Sequence, residues 1–247
     1  MEKVIDDIVS WLKQKVDETG VKGLVVGVSG GLDSAVVAHL IKKACPKSSL
    51  GVIMPLKSNP QDVEHANQVI ESCDIQSVTI DLTETHQVMF DQIREQLKKD
   101  HNNDNEQMAD ANLRARLRMG TLYTIATNYN YLVVGTDNAS EWYTGYFTKY
   151  GDGGVDIQPI IDFTKGEVKE MASFLGVPEE VVQKKPSADL WEGQTDEGEM
   201  GISYDVIDAY IKGEAVPEKD KKRIEQMHEK TMHKRSPLPQ YHRKKLF

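Results

Sequence analysis

Apolar positions along the chain fall into two alternating rhythms. Val4, Ile5, Ile8, Trp11, Leu12 and Val16 recur three and four apart, which predicts an amphipathic helix over residues 1–19 ended by Gly20. Leu24–Val28, Leu50–Pro55, Ser77–Asp81 and Tyr131–Thr136 are instead short apolar runs bounded by polar residues or glycine, and they predict buried strands. Helical spacing fills the intervals over Asp33–Ala44, Gln61–Ser72, 83–99 and 106–128, the last two separated by the polar His101-Asn102-Asn103-Asp104-Asn105. Beyond the fourth strand, 151–154 reads as a loop, Ile157–Ile161 as a short fifth strand, and 164–175, 204–213 and 218–232 as helices. Residues 183–201 and 233–239 are polar and broken by glycine or proline, so they read as mobile segments suited to lids.

Strands alternating with helices imply an α/β fold: a single doubly wound parallel sheet with helices on both faces. No repeat or linker divides the chain, so residues 1–247 read as one unit, with the helix 1–19 and the region 204–247 as extensions. A 39% hydrophobic and 28% charged composition is that of a globular protein. No apolar run approaches the roughly 20 residues of a spanning helix. The opening Met1–Asp7 carries acids and no signal-type core, so a cytoplasmic location without membrane contact is expected. The net charge of −9 repels a polyanion and favours a small anionic substrate neutralised locally, so no nucleic-acid partner is expected. Cys45 and Cys73 are too few for a disulfide framework and read as core or surface thiols.

The chemistry concentrates behind the first strand, in Gly27-Val28-Ser29-Gly30-Gly31-Leu32-Asp33-Ser34. A glycine-rich turn opening a helix presents unpaired N–H groups and suits a phosphate. The ending Gly-Lys-Ser/Thr of a Walker loop and the spacing G-x-G-x-x-G are both absent. Asp33 beside a phosphate loop is repulsive unless a cation lies between, which reads it as a Mg²⁺ ligand. In an open parallel sheet, ligands bind beyond the carboxyl ends of the strands. The fourth strand runs out into Gly135-Thr136-Asp137-Asn138-Ala139-Ser140-Glu141, on the same edge, so Glu141 is placed to share that Mg²⁺ with Asp33.

Ser29–Ser34 resembles the pyrophosphatase loop of the N-type ATP pyrophosphatases, which implies the adenine nucleotide α-hydrolase-like, Rossmann-like fold. Gly135–Glu141, Gly145–Asp156, Pro159-Ile160, Asn112–Met119, Lys184–Trp191 and His233–Arg235 together resemble the ammonia-dependent NAD⁺ synthetases, in the same order from residue 27 to 235. That resemblance implies ATP contacts from the loop 27–34, Thr136, Lys165 and Ser187, the last standing where threonine is expected. It implies Mg²⁺ on Asp33 and Glu141, and deamido-NAD⁺ contacts from Arg116, Lys149, Asp156, His233 and Lys234, with Tyr146 lining that site. Asp33 and Lys165 would serve catalysis, and Asp152 or Asp156 would bind ammonium and accept its proton. The implied reaction adenylylates the nicotinate carboxylate, then amidates it with free ammonia, since Cys45 and Cys73 lack the setting of a glutaminase nucleophile. A homodimer is implied as well. Taken singly, Arg116 belongs to a solvated charge run and Lys149, Lys165 and His233 are ordinary surface residues. A GMP-synthetase-like or tRNA-modifying pyrophosphatase and a non-catalytic adenine-nucleotide binder remain the competing readings.

Overall fold

A computed structural model describes residues 1–97, 103–187 and 193–243. After α1 (Glu2–Thr19), which Gly20 ends in a left-handed cap, the chain enters β1 (Gly23–Gly27), α2 (Leu32–Ala44), β2 (Ser49–Ile53) and α3 (Pro60–Cys73). It continues through β3 (Gln76–Thr79), α4 (Thr83–Leu97), α5 (Glu106–Tyr129) and β4 (Tyr131–Val133). The four strands form one parallel sheet in the order β3-β2-β1-β4, with Leu24 level with Ser49 on one side and Leu132 on the other. Successive side chains of β1 point to opposite faces. Leu24 and Val26 meet Ile5, Ile8 and Leu12 of α1 and the apolar side of α2, while Val25 packs with Leu50, Val52, Val133 and Ala126 of α5. Helices therefore cover both faces, as the sequence predicts.

The strand order places the chemistry. From β1 the chain winds outward through β2 to β3, then returns to add β4 on the opposite side of β1. The connections after β1 and β4 thus diverge, opening a crevice at the carboxyl end of the sheet.

The expected fifth strand is not formed. Gly135 N–H donates to Ile157 O at 2.8 Å and Asp156 N–H to Val133 O at 3.0 Å, but only Val134 and Ile157 bridge in parallel. Pro159 has no N–H to continue the ladder, and the chain turns away. The helices α6 (Ala139–Thr144), α7 (Lys165–Leu175), α8 (Glu179–Gln183), α9 (Asp196–Met200), α10 (Tyr204–Ile211), α11 (Glu218–Lys230) and α12 (Met232–Arg235) complete the fold. Of these α6, α8, α9 and α12 were not expected from periodicity. The segment 183–201 read as a loop carries the end of α8 and all of α9, and the segment 233–239 begins inside α12. The end of the helix expected over 83–99, the residues His101 and Asn102, and the motif Ala188-Asp189-Leu190-Trp191 lie outside the described residues. A separate apolar cluster of Met200, Ile202, Tyr204, Ile207 and Ile224 holds α9, α10 and α11 together. No described helix is long and apolar enough to cross a membrane.

Candidate active site

The turn after β1 is built around Gly30 and Ser34. Gly30 sits at φ +80°, and a Cβ there would lie 2.3 Å from the backbone oxygen of Asp62 on α3. Only glycine fits that backbone without displacing α3. The Ser34 hydroxyl donates to Gly31 O at 3.0 Å and accepts from Ser29 N–H at 3.2 Å, and Gly31 N–H donates to Ser29 Oγ at 3.2 Å. These bonds shape the turn and leave the first-turn N–H groups of α2 facing the crevice, an arrangement that suits an anion.

Across the crevice, Asn138 fixes the other wall. It is fully buried, accepts from Ser140 N–H and Glu141 N–H at 3.0 Å each, and its amide donates to Asp33 Oδ1 at 2.9 Å. Glu141 answers by accepting from Asn138 N–H through Oε2 at 3.2 Å, which completes a capping box on α6. One asparagine thus locks the turns after β1 and β4 together. Lys165, the first residue of α7, reaches into the same place. Its Nζ lies 2.5 Å from Asp33 Oδ2 and 3.1 Å from Glu141 Oε1, with all three side chains at most 15% exposed. Tyr204 closes the cluster, its hydroxyl 3.2 Å from Glu141 Oε1 and 3.0 Å from Asp196 Oδ2 and its ring centroid 4.8 Å from Lys165 Nζ.

Charge in this cluster is unbalanced. Burial pushes the Glu141 carboxyl up to about 7, with the Lys165 ammonium working against the shift. Burial acts to lower the Lys165 pKa, but Asp33 and Glu141 outweigh it and hold the ammonium firmly charged. Asp137 is 4% exposed with no partner for Oδ2 among the described residues, and burial followed by the charge of Asp152 raises its carboxyl well above the usual range. Two carboxylates converging on one cation offer hard oxygen donors to a divalent ion. Mg²⁺ is commonly held by one or two carboxylates together with substrate phosphates and water. The two carboxylates Asp33 and Glu141 converging at Lys165 fit such a shared site; among the described residues no three acidic, histidine or cysteine side chains gather to hold a metal unaided.

The remaining expected residues divide. Lys149 Nζ donates to His233 O at 2.5 Å, Arg116 Nη2 to Lys149 O at 3.4 Å, and Lys234 Nζ to Gly145 O at 2.7 Å and Phe147 O at 2.5 Å. Three cations, Arg116, Lys149 and Lys234, therefore gather along the 145–149 turn, and His233 joins them through its backbone carbonyl. Burial lowers the Lys234 pKa. Tyr146 donates to Glu199 Oε2 on α9 at 2.8 Å. Asp156 is engaged by Val133 N–H at 2.8 Å and the Tyr123 hydroxyl at 3.0 Å. Asp152 is exposed at the surface, and the protein around it pushes its carboxyl up, while Thr148 N–H donates to it at 3.0 Å and works against that shift. Ser187 Oγ donates to Gln194 O at 2.8 Å, and Thr136 is half-buried between β4 and α6. A groove of about 400 Å³ along α5, lined by Arg116, Leu117, Thr121 and Ile125, includes none of the Asp33–Lys165–Glu141 cluster. Burial pushes the Cys45 and Cys73 thiols up, which suits inert cysteines.

Asn138, Asp137, Asp196, Tyr204 and Asp208 belong to this neighbourhood and were not singled out from the sequence. The Asn138–Glu141 spacing is a capping-box signature and was legible. Nothing local marks Tyr204 or Asp208, which arrive by packing of α10.

The model for NAD synthase matches residues 4–238 of the chain. The NH(3)-dependent NAD(+) synthetase of Alkaliphilus oremlandii (strain OhILAs) is 57% identical over 241 residues, covering 97% of this chain and 96% of the relative. Among solved structures, the NMN synthetase from Francisella tularensis superposes with a TM-score of 0.91 at 37% identity, covering 97% of this chain and 98% of that one. The NH3-dependent NAD synthetase from Campylobacter jejuni subsp. jejuni NCTC 11168 gives a TM-score of 0.77 at 26% identity, covering 98% of each chain.

Proposed function

The chain belongs to the NAD synthase family, and from that premise we propose that it converts ATP, deamido-NAD⁺ and ammonia into AMP, diphosphate and NAD⁺. The convergence of Asp33, Lys165 and Glu141 beside an anion-binding turn carries the reading at the level of chemistry. The nicotinate carboxylate attacks the α-phosphorus of ATP and diphosphate leaves. Ammonia then attacks the adenylylated carboxylate, AMP departs and the amide forms. No protein nucleophile is required, so the protein's work is to align two anions and neutralise charge that grows on phosphate oxygens.

In this reading the turn 27–34, Thr136, Lys165 and Ser187 hold ATP. Asp33 and Glu141 hold Mg²⁺, which when bound withdraws charge from the phosphates. Arg116, Lys149, His233 and Lys234 receive the anionic groups of deamido-NAD⁺, with Tyr146 and Asp156 lining the same cleft. Asp152 suits the ammonium role better than Asp156, because Val133 N–H and Tyr123 already engage Asp156. Residues 1–247 act as one catalytic unit, a cytoplasmic homodimer, its mating surface supported by an exposed apolar stripe on α4.

The name of the Francisella relative supports a second reading, amidation of the mononucleotide to NMN. One experiment separates them: ATP, Mg²⁺ and ammonium chloride with either deamido-NAD⁺ or nicotinate mononucleotide, following NAD⁺, NMN and AMP, with glutamine replacing ammonium in parallel. NAD⁺ from ammonium but not glutamine supports the first reading. NMN as the faster product moves the assignment to the second, and AMP release with neither product moves it to another pyrophosphatase.

A further inference from the structure

Helix α10 contributes nothing to the sheet, yet two of its polar side chains are buried against the cluster. Tyr204 and Asp208 stand one helical turn apart, 4% and 7% exposed. Burying a carboxylate and a phenol is costly unless both are satisfied, so their partners show what they are for. Asp208 Oδ2 accepts from Gly166 N–H at 2.8 Å, and Oδ1 accepts from the Ser140 hydroxyl at 2.5 Å and Lys165 N–H at 3.3 Å. It therefore satisfies orphan donors of the first turn of α7, which the cap Thr164 does not reach, since Thr164 serves Glu167 N–H. The residues it fixes are Lys165 itself and Ser140, the neighbour of Glu141. Tyr204 makes the matching link on the side-chain side, its hydroxyl lying between Glu141 Oε1 and Asp196 Oδ2, while its own N–H donates to Glu197 Oε1 at 2.9 Å. Helices α6, α7 and α9 are separate in sequence, and α10 bonds to all three.

We propose that Tyr204 and Asp208 are positioning residues: Tyr204 orients Glu141 against Asp196 for the divalent cation, and Asp208 pins the start of α7 so that the Lys165 ammonium meets both carboxylates. The proposal rests on the functional reading above. Partners that orient a metal-ligating carboxylate typically cost 10–100-fold in metal affinity or activity when removed. A merely structural role predicts a different pattern, because Tyr204→Phe keeps the ring, its packing and its face toward Lys165, and deletes only the hydroxyl link.

The test compares wild type, Tyr204→Phe, Asp196→Asn and Asp208→Asn. Free Mn²⁺ is read by electron paramagnetic resonance in the presence of ATP, beside thermal melting and steady-state kinetics. Tyr204→Phe is expected to melt near the wild-type temperature, to bind Mn²⁺ about 10-fold more weakly and to lose about 10-fold in kcat. Its KM for deamido-NAD⁺ should stay unchanged, and excess Mg²⁺ should return part of the rate. Asp208→Asn should fall in the same direction. Should it fail to fold, Tyr204→Phe and Asp196→Asn carry the test. Wild-type Mn²⁺ affinity and kcat in Tyr204→Phe would overturn the proposal, and so would a lowered melting temperature with Mn²⁺ affinity unmoved. No amide product from the wild-type chain would count against the functional reading alone, because the Mn²⁺ comparison decides the positioning role independently of turnover.

Discussion

Lys165 is the counter-charge on which the site turns. Its ammonium lies 2.5 Å from one buried carboxylate and 3.1 Å from another. Removing one partner of such a group leaves uncompensated buried charge, which typically costs 3–5 kcal/mol. Lys165→Met is therefore expected to lose about 3 kcal/mol in metal-free urea unfolding. Added Mg²⁺ should return part of that stability by taking the place of the lost charge, while NAD⁺ formation falls by at least about 100-fold. An unchanged metal-free midpoint would show that Asp33 and Glu141 do not need the ammonium. Gly30 gives a second test at this scale. Its left-handed backbone and the 2.3 Å approach of Asp62 O leave no room for a methyl group. Gly30→Ala should displace the turn against α3, raise the KM for ATP about 10-fold or more through lost anion-binding geometry, and lower the melting temperature. An unaltered KM for ATP would separate this turn from phosphate binding. Asp33 and Glu141 were legible as neighbours because each follows a strand on one sheet edge. Tyr204 was not, since it reaches Glu141 from 63 positions away through packing that no local pattern announces.

The strands and long helices were legible because their apolar rhythm is strong, and the misses have physical causes. The expected fifth strand ends after one bridge, where Pro159 interrupts the donors. The short helices α6 and α9 depend on caps, Asn138 with Glu141 and Thr195 with Gly198 N–H, and their few residues give periodicity too little length to register. The contact between α2 and α3 carries a pH dependence that can be worked out. His39 on α2 is 5% exposed, with Nδ1 2.8 Å from Ala35 O and Nε2 3.3 Å from Ser72 Oγ on α3. Burial lowers its pKa, and the Ala35 carbonyl acts the other way. An unfolded histidine titrates near 6.5. Below that pH the unfolded chain takes up a proton that the folded chain refuses, so this contribution to stability is present above about pH 6.5 and is lost on acidification. His39→Gln should thus flatten the fall in melting temperature between about pH 7.5 and 5.5 relative to wild type. The difference between the two curves isolates His39 from carboxyls such as Glu141 and Asp137, whose raised values act in the opposite sense. Parallel curves would place the acid sensitivity elsewhere.

For the whole molecule, the question is what covers α4. Only His86 of that helix is buried, while Met89, Ile93 and Leu97 recur four apart on one side at 44%, 40% and 46% exposure. Val88 on the same helix and Met108 near the start of α5 are 51% and 50% exposed. An apolar stripe at helical spacing that the described residues leave exposed suits an interaction surface. A second copy is the occupant the homodimer reading requires. Each copy carries a net charge of −9, so the two repel at long range and their contact has to gain its stability from apolar area. Two consequences follow with opposite signs from those of a salt-bridged interface. Raising the salt concentration from about 0.05 to 0.5 M should tighten the dimer, because screening removes repulsion and leaves burial untouched. Ile93→Glu combined with Met89→Glu should dissociate it, since each places a charge in the apolar contact and adds to the repulsion. In sedimentation velocity the wild type should run at about twice the 27.8 kDa chain mass and the double variant at the chain mass. Mn²⁺ binding at Asp33 and Glu141 should survive in that monomer, because Asn138 and Lys165 of the same chain hold both carboxylates in place. A double variant that still sediments as a dimer would move the interface off α4, and a dimer that weakens with salt would assign it to charge pairs instead.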